Sequence, residues 1–161
     1  MAATQTGHPA AGTDPAPPSI IVTRMVAEVS ARPEAQQVSL LVERRLFLKR
    51  RWRGAAMDGT EFGFDLESRL QNGCVIHQTE EADYVVWQEH ELVYSVRPAS
   101  LDEAALLGWK IGNLHMPVEI LDGEIRAEHD PAVRQLLERE GHAFEERTVL
   151  FQPLRVTAHA S

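Results

Sequence analysis

The stretch ELVYSVRPASLDEAALLGWKIGN, residues 91–113, changes its grammar part-way along, and that change decides the fold. Glu91–Arg97 alternates β-branched, aromatic and polar residues and reads as a strand. Ser100 then opens a helix through Ser-x-x-Glu: its hydroxyl can cap the Glu103 amide while Glu103 reaches back. Ala104, Leu107 and Ile111 supply the apolar stripe, and Gly112-Asn113, both tolerant of the left-handed conformation, should end the helix. Downstream, Val118–Leu121 and Glu124–Glu128 flank an Asp122-Gly123 turn and read as a hairpin. Asp130 caps a second helix with Pro131 at its first position and Val133, Leu136 and Leu137 inward, closed by Gly141. A last strand, Phe144–Phe151, precedes Pro153. The order β-α-β-β-α-β is the split βαβ, or ferredoxin-like, arrangement, an antiparallel sheet with two helices on one face.

Upstream the pattern is different. From Ser19 to about Trp87, short runs rich in β-branched and aromatic residues are broken by turn signals at Asp58-Gly59 and Asn72-Gly73. Expected strands are Ile20–Val29, Gln37–Leu41, Arg44–Arg53, Glu61–Leu66, Cys74–Gln78 and Tyr84–Trp87, with no helical period between them. The fold class is therefore α+β: an all-β domain over residues 19–88, a ferredoxin-like domain over 89–155, and a boundary near Gln88–Glu91. Residues 1–18 hold no bulky apolar side chain after Met1 and should form a disordered leader; residues 156–161 should form a flexible tail.

The whole chain has 161 residues, 43% of them hydrophobic, with 16 Lys and Arg against 24 Asp and Glu. The formal charge of -8 argues against a nucleic-acid binder, which needs surplus basic charge for phosphates. The charge is uneven: residues 24–53 carry net +5 and residues 54–161 net -12. A single cysteine, Cys74, excludes a disulfide framework and any Cys-rich zinc module. With no apolar run of about 20 residues and no basic-then-apolar N-terminus, the expectation is a cytoplasmic protein without membrane contact.

No phosphate-binding Gly-rich loop, G-x-S-x-G elbow, H-E-x-x-H helix or Cys-x-x-Cys is present. Chemistry would rest on histidines and carboxylates. His8, His77 and His90 read as solvent-exposed surface residues. His115 differs, standing between a helix stop and a proline in Gly112-Asn113-Leu114-His115-Met116-Pro117, so its imidazole projects from a fixed corner. On physical grounds such a residue is either a cap favoured by the helix dipole or a ligand.

The run Trp109–Val118, the Asp122-Gly123-Glu124-Ile125-Arg126 hairpin, and His129-Asp130 opening a helix resemble urease accessory protein UreE, the nickel metallochaperone family. The likeness extends to Asp58-Gly59-Thr60-Glu61, Leu70-Gln71-Asn72-Gly73, the Glu91 strand and Phe151-Gln152-Pro153; Gly112-Asn113-x-His115 followed by Pro117-Val118 is its most specific part. The resemblance implies a homodimer whose N-terminal β-domain contacts proteins and whose C-terminal domain binds metal. It makes His115 the motif histidine, supplied once per protomer, so that two copies hold one nickel across the two-fold axis. Imidazole suits Ni(II), and a site without thiolates should release it, though zinc or copper could also bind. His129 and His159 are the further candidate ligands. Implied partners are other urease accessory proteins and the urease apoenzyme. Two positions depart from the family: Leu114 stands where Arg is common, and Pro131 where some members have His. His142 matches no family ligand and reads as a surface residue.

Residues 44–53, Arg44-Arg45-Leu46-Phe47-Leu48-Lys49-Arg50-Arg51-Trp52-Arg53, read as a strand charged on both faces: a protected sheet edge, or a docking face for an acidic partner. The leading function is a non-enzymatic carrier of Ni(II). A small hydrolase using metal at His115 with Asp130 or Glu128, and a metal-independent adaptor, are the alternatives.

Overall fold

The computed structural model describes residues 20–155. In its first half the chain forms β1 (Ile20–Val22), β2 (Gln37–Val42), β3 (Arg51–Ala55), β4 (Glu61–Asp65), β5 (Val75–Gln78) and β6 (Asp83–Gln88), with 3₁₀ turns at Glu34–Gln36 and Arg44–Leu48. They make two three-stranded sheets, ordered β1-β4-β3 and β2-β6-β5. Apolar residues of both sheets, among them Leu40, Phe62, Phe64, Ile76 and Val86, bury one shared core that includes Cys74. The β3–β4 hairpin turns at Asp58-Gly59 as expected, with Gly59 at φ 88°. Gly73, at φ 84°, lies under the Trp87 ring, and a Cβ there would come within 2.9 Å of it.

Two expectations for this half need correction, and the strand pairing adds a feature that the sequence did not suggest. The strand expected over Ile20–Val29 stops at Val22. The strand expected over Arg44–Arg53 is a 3₁₀ turn followed by β3. Leu46 and Phe47, adjacent in sequence, both pack against the core, and a strand would send one of them to each face. Finally, β1 pairs with β4, and β2 with β6, in parallel, so neighbours in the sheets are distant in sequence.

The second half comprises β7 (Glu91–Val96), α1 (Leu101–Asn113), β8 (Val118–Leu121), β9 (Glu124–Glu128), α2 (Pro131–Arg139) and β10 (Glu145–Val149). The sheet order is β10-β7-β9-β8, every pair antiparallel. Tyr94 and Val96 of β7 and Ile125 and Ala127 of β9 share a core with Leu107 and Ile111 of α1 and Val133 and Leu137 of α2. Both helices thus cover the same face. The opposite face carries an ion-pair lattice centred on Glu124, which accepts bonds from Ser95, Arg126 and Arg147. Burial opposes ionisation of Glu124, but these hydrogen bonds and the Arg126 and Arg147 charges outweigh it and hold its pKa below the ordinary value.

The caps follow the sequence closely. Ser100 accepts the Glu103 amide at 3.1 Å, and the Glu103 carboxylate accepts the amide of Ala99, one residue before the cap. Asp130 accepts the Ala132 amide at 2.8 Å, with Pro131 in the first turn and Gly141 left-handed beyond the helix. The end of α1 departs from expectation. Asn113 is still helical, Leu114 stays right-handed, and the residue that turns left-handed is His115, at φ 57°. Among the described residues no helix is long and apolar enough to cross a membrane.

Candidate functional site

His115 is the non-glycine residue with positive φ among the described residues. The left-handed region costs an L-residue about 1–2 kcal/mol, with His tolerated better than most. The backbone holds it there by hydrogen bonds from Leu114 N–H to Ile111 O (3.0 Å) and from His115 N–H to Gly112 O (2.9 Å). Beyond it, Met116 packs against the helix-sheet core and Pro117 leads into β8. The imidazole itself is exposed and, among the described residues, has no hydrogen-bond or ionic partner. A cap histidine bonded to helix carbonyls is therefore not what His115 is. Its backbone ends the helix, and its ring is left free.

The ring borders a cleft of about 820 Å³ where the two halves meet. One wall is made by Phe47, Leu48 and Leu70, the other by Met116, Pro117 and Phe151. Arg44 ties the halves together beside it: its guanidinium meets Glu91 through two bonds of 2.9 and 3.0 Å, reaches Glu128 at 3.3 Å, and lies 5.0 Å from the centre of the Phe151 ring. Its side chain is 11% exposed. Arg45 adds a 2.7 Å bond to Glu128, which raises the Arg45 pKa, and Gln88 donates to the Phe151 carbonyl. None of this was readable from sequence, since Arg44 and Glu128 are 84 positions apart.

His129 follows Glu128 and is engaged within the chain. Its ring stacks on Tyr94, centroids 4.5 Å apart, and its Nε2 lies 3.2 Å from a Glu146 carboxylate oxygen that Arg134 also contacts. A metal at His129 would compete with Glu146 for Nε2. His142, expected at the surface, is instead 9% exposed, with Nδ1 2.9 Å from Glu103. The correction has a physical cause: Gly141 turns the chain back so that the imidazole joins the start of α1 to the end of α2. Hydrogen bonds, first from the Ala99 amide and then from His142, hold the Glu103 pKa below its usual range. His77, also expected exposed, is half-buried against Phe62 and Tyr84, while His90 is exposed as expected. His8 and His159 lie outside the described residues.

The described residues of one chain bring no three His, Cys, Asp or Glu together in a group that could hold a metal. His115 and His129 are thus not parts of one preformed centre within a single copy. In the basic stretch, Arg50 and Arg51 pair with Asp65 at 3.2 and 3.1 Å, which lowers the Asp65 pKa, and β3 lies at the edge of its sheet.

A family model described as the C-terminal domain of the UreE urease accessory protein matches residues 91–161, from the first residue of β7. A urease accessory protein UreE from Streptococcus vestibularis is 35% identical over 107 residues, 63% of this chain and 71% of that protein. One from Pseudomonas putida is 30% identical over 137 residues, 83% and 81% of the two chains. One from Corynebacterium efficiens is 29% identical over 150 residues, 87% of this chain and 99% of the other. With 30% identity across 83% of this chain and 81% of the Pseudomonas putida protein, and a family model whose matched residues include His115, the chain belongs to the urease accessory protein UreE family.

Proposed function

We propose that the protein is a non-enzymatic nickel carrier that holds Ni(II) between the His115 residues of two copies and hands it to the urease-maturation machinery. The observation that carries this reading is His115 itself: a residue kept in a conformation that glycine would occupy without strain, with no partner for its ring among the described residues. One imidazole makes a poor metal site, and a two-fold axis doubles it. The outward face of α1 supports a second copy, since Leu106 and Trp109, three residues apart, are 49% and 65% exposed and lead toward Leu114 and His115.

His129 and His159 serve as auxiliary ligands in this reading. His159 lies outside the described residues, four positions after Arg155, which lines the same cleft as His115. His129 joins only by leaving Glu146. The order β10-β7-β9-β8 with both helices on one face supports a ferredoxin-like metal domain beginning near Glu91, and the separate core of residues 20–88 supports an N-terminal domain for protein contacts. Other urease accessory proteins and the urease apoenzyme are the partners, and the cytoplasm is the compartment.

The test is calorimetric titration of Ni(II) into the full chain and into His115→Ala, His129→Ala and His159→Ala. One nickel per dimer is expected for the parent. His115→Ala removes both inner ligands together and abolishes that site, while the other two cost less. Because only neutral imidazole ligates, binding should weaken as the solution is made more acidic. Parental affinity and stoichiometry in His115→Ala would overturn the mechanism.

A further inference from the structure

Among the described residues, the cleft beside His115 is lined without a single carboxylate, in a chain where Asp and Glu outnumber Lys and Arg by 24 to 16. Its three guanidiniums belong to Arg44, Arg69 and Arg155. Arg44 is committed to Glu91 and Glu128. Arg69 and Arg155 are exposed, and among the described residues neither meets a carboxylate. Apolar residues line the same cleft, with Leu48 and Leu154 58% and 60% exposed, while Leu70 and Phe151 are buried in the fold. The volume of about 820 Å³ falls within the range of ligand clefts, roughly 300–1,000 Å³.

A small phosphate-like anion fits this lining poorly. Neither helix start, at Ser100 or Asp130, faces the cleft; Gly112 and His115, at the carbonyl end of α1, do, and that end repels an anion. Two cations without carboxylate partners among the described residues, in one cleft with exposed apolar side chains, instead match an extended chain that carries both carboxylates and apolar side chains. We propose that this cleft is a docking groove for an extended acidic segment of a partner protein, with carboxylates at Arg69 and Arg155 and apolar side chains on Leu48, Met116 and Leu154. The choice of a protein partner rests on the accessory role proposed above; the groove itself does not depend on nickel. A chain of net charge -8 repels acidic peptides in general, so binding of one reports a local site.

The probe is a fluorescein-labelled octapeptide alternating Glu and Leu, followed by anisotropy with the full chain and no metal. Saturable binding that weakens as salt rises is expected. Removing one exposed ion pair, as in Arg69→Ala or Arg155→Ala, should weaken it about fivefold, and Arg69→Glu about twentyfold. No saturable binding, equal binding of a Gln-Leu peptide, or parental affinity in Arg69→Glu would overturn the groove. So would binding that emerges only after residues 156–161 are removed, since the chain's own tail would then be the occupant. Nickel titration of Arg69→Glu separates the two ideas. Lost peptide with retained nickel supports the groove as a distinct site, whereas absent peptide binding beside normal nickel binding sinks the groove and leaves the metal reading standing.

Discussion

Replacing His115 by glycine should make the protein more stable and useless as a carrier. The backbone there sits at φ 57°, where an L-residue bears about 1–2 kcal/mol of strain and glycine almost none. Glycine gives back about 0.5–1 kcal/mol through its greater freedom in the unfolded chain. The imidazole is exposed and has no partner among the described residues, so no packing or hydrogen bond to them is lost with it. Against His115→Ala, which keeps the strain and likewise lacks the ring, His115→Gly should gain about 0.5–1 kcal/mol, or roughly 1–3 °C in Tm for a chain of this size. Calorimetric melting of parent, Ala and Gly variants, each with and without Ni(II), measures both quantities. The expected outcome is a Gly variant that melts above the Ala variant, with neither gaining stability from nickel as the parent does. A Gly variant melting at or below the Ala variant would refute the strain argument, and a Gly variant stabilised by nickel like the parent would refute the ligand role.

The depressed pKa of Glu103 means that its ionised form is favoured by folding, so its contribution is present above the unfolded value of about 4.3 and is lost as pH falls through the lower folded value. In urea titrations at several pH values, Glu103→Gln should trail the parent at pH 6 and draw level with it as the pH falls below the ordinary carboxylate range; a gap independent of pH would dismiss the ionised Glu103, held by the Ala99 amide and by His142, as the source. Gly73→Ala forces a side chain into a left-handed position against the Trp87 ring and should cost about 2 kcal/mol, visible as a lower melting temperature with altered Trp fluorescence. Unchanged melting would show that the Trp87 ring moves aside freely.

What the sequence discloses about this fold is local. Ser100 with Glu103 and Asp130 with Pro131 announce their helices because each cap is completed within four residues. The Asp58-Gly59 and Asp122-Gly123 turns are legible for the same reason. What escapes a linear reading depends on partners far along the chain. Arg44 finds Glu91 47 residues away, and the turn it sits in replaces an expected strand. His142 looks like a surface residue until Glu103, 39 positions earlier, is seen beside it. The position of His115 was legible from its motif, but its left-handed backbone was not, because Gly112 and Asn113 are the more usual residues to turn that way and the chain passes both while still helical. The acid-free cleft likewise draws Arg69, His115 and Arg155 from separate segments.

The parallel pairing of β2 with β6 also has a consequence during synthesis. In its sheet β2 has β6 as its single neighbour, so the apolar residues Leu40 and Val42 have no strand to join until residues 83–88 have left the ribosome. A nascent chain paused before that point presents an open edge of the kind that templates association between chains. In the four-stranded sheet a first partner comes sooner, since β9 pairs with β7 across 29–35 positions, against 46 for β2 with β6, although β10 joins β7 only across 50–58. The N-terminal half, although made first, is therefore the half that needs protection while it waits, and slowing translation through residues 43–82 should lower the soluble yield more than slowing it through residues 100–150.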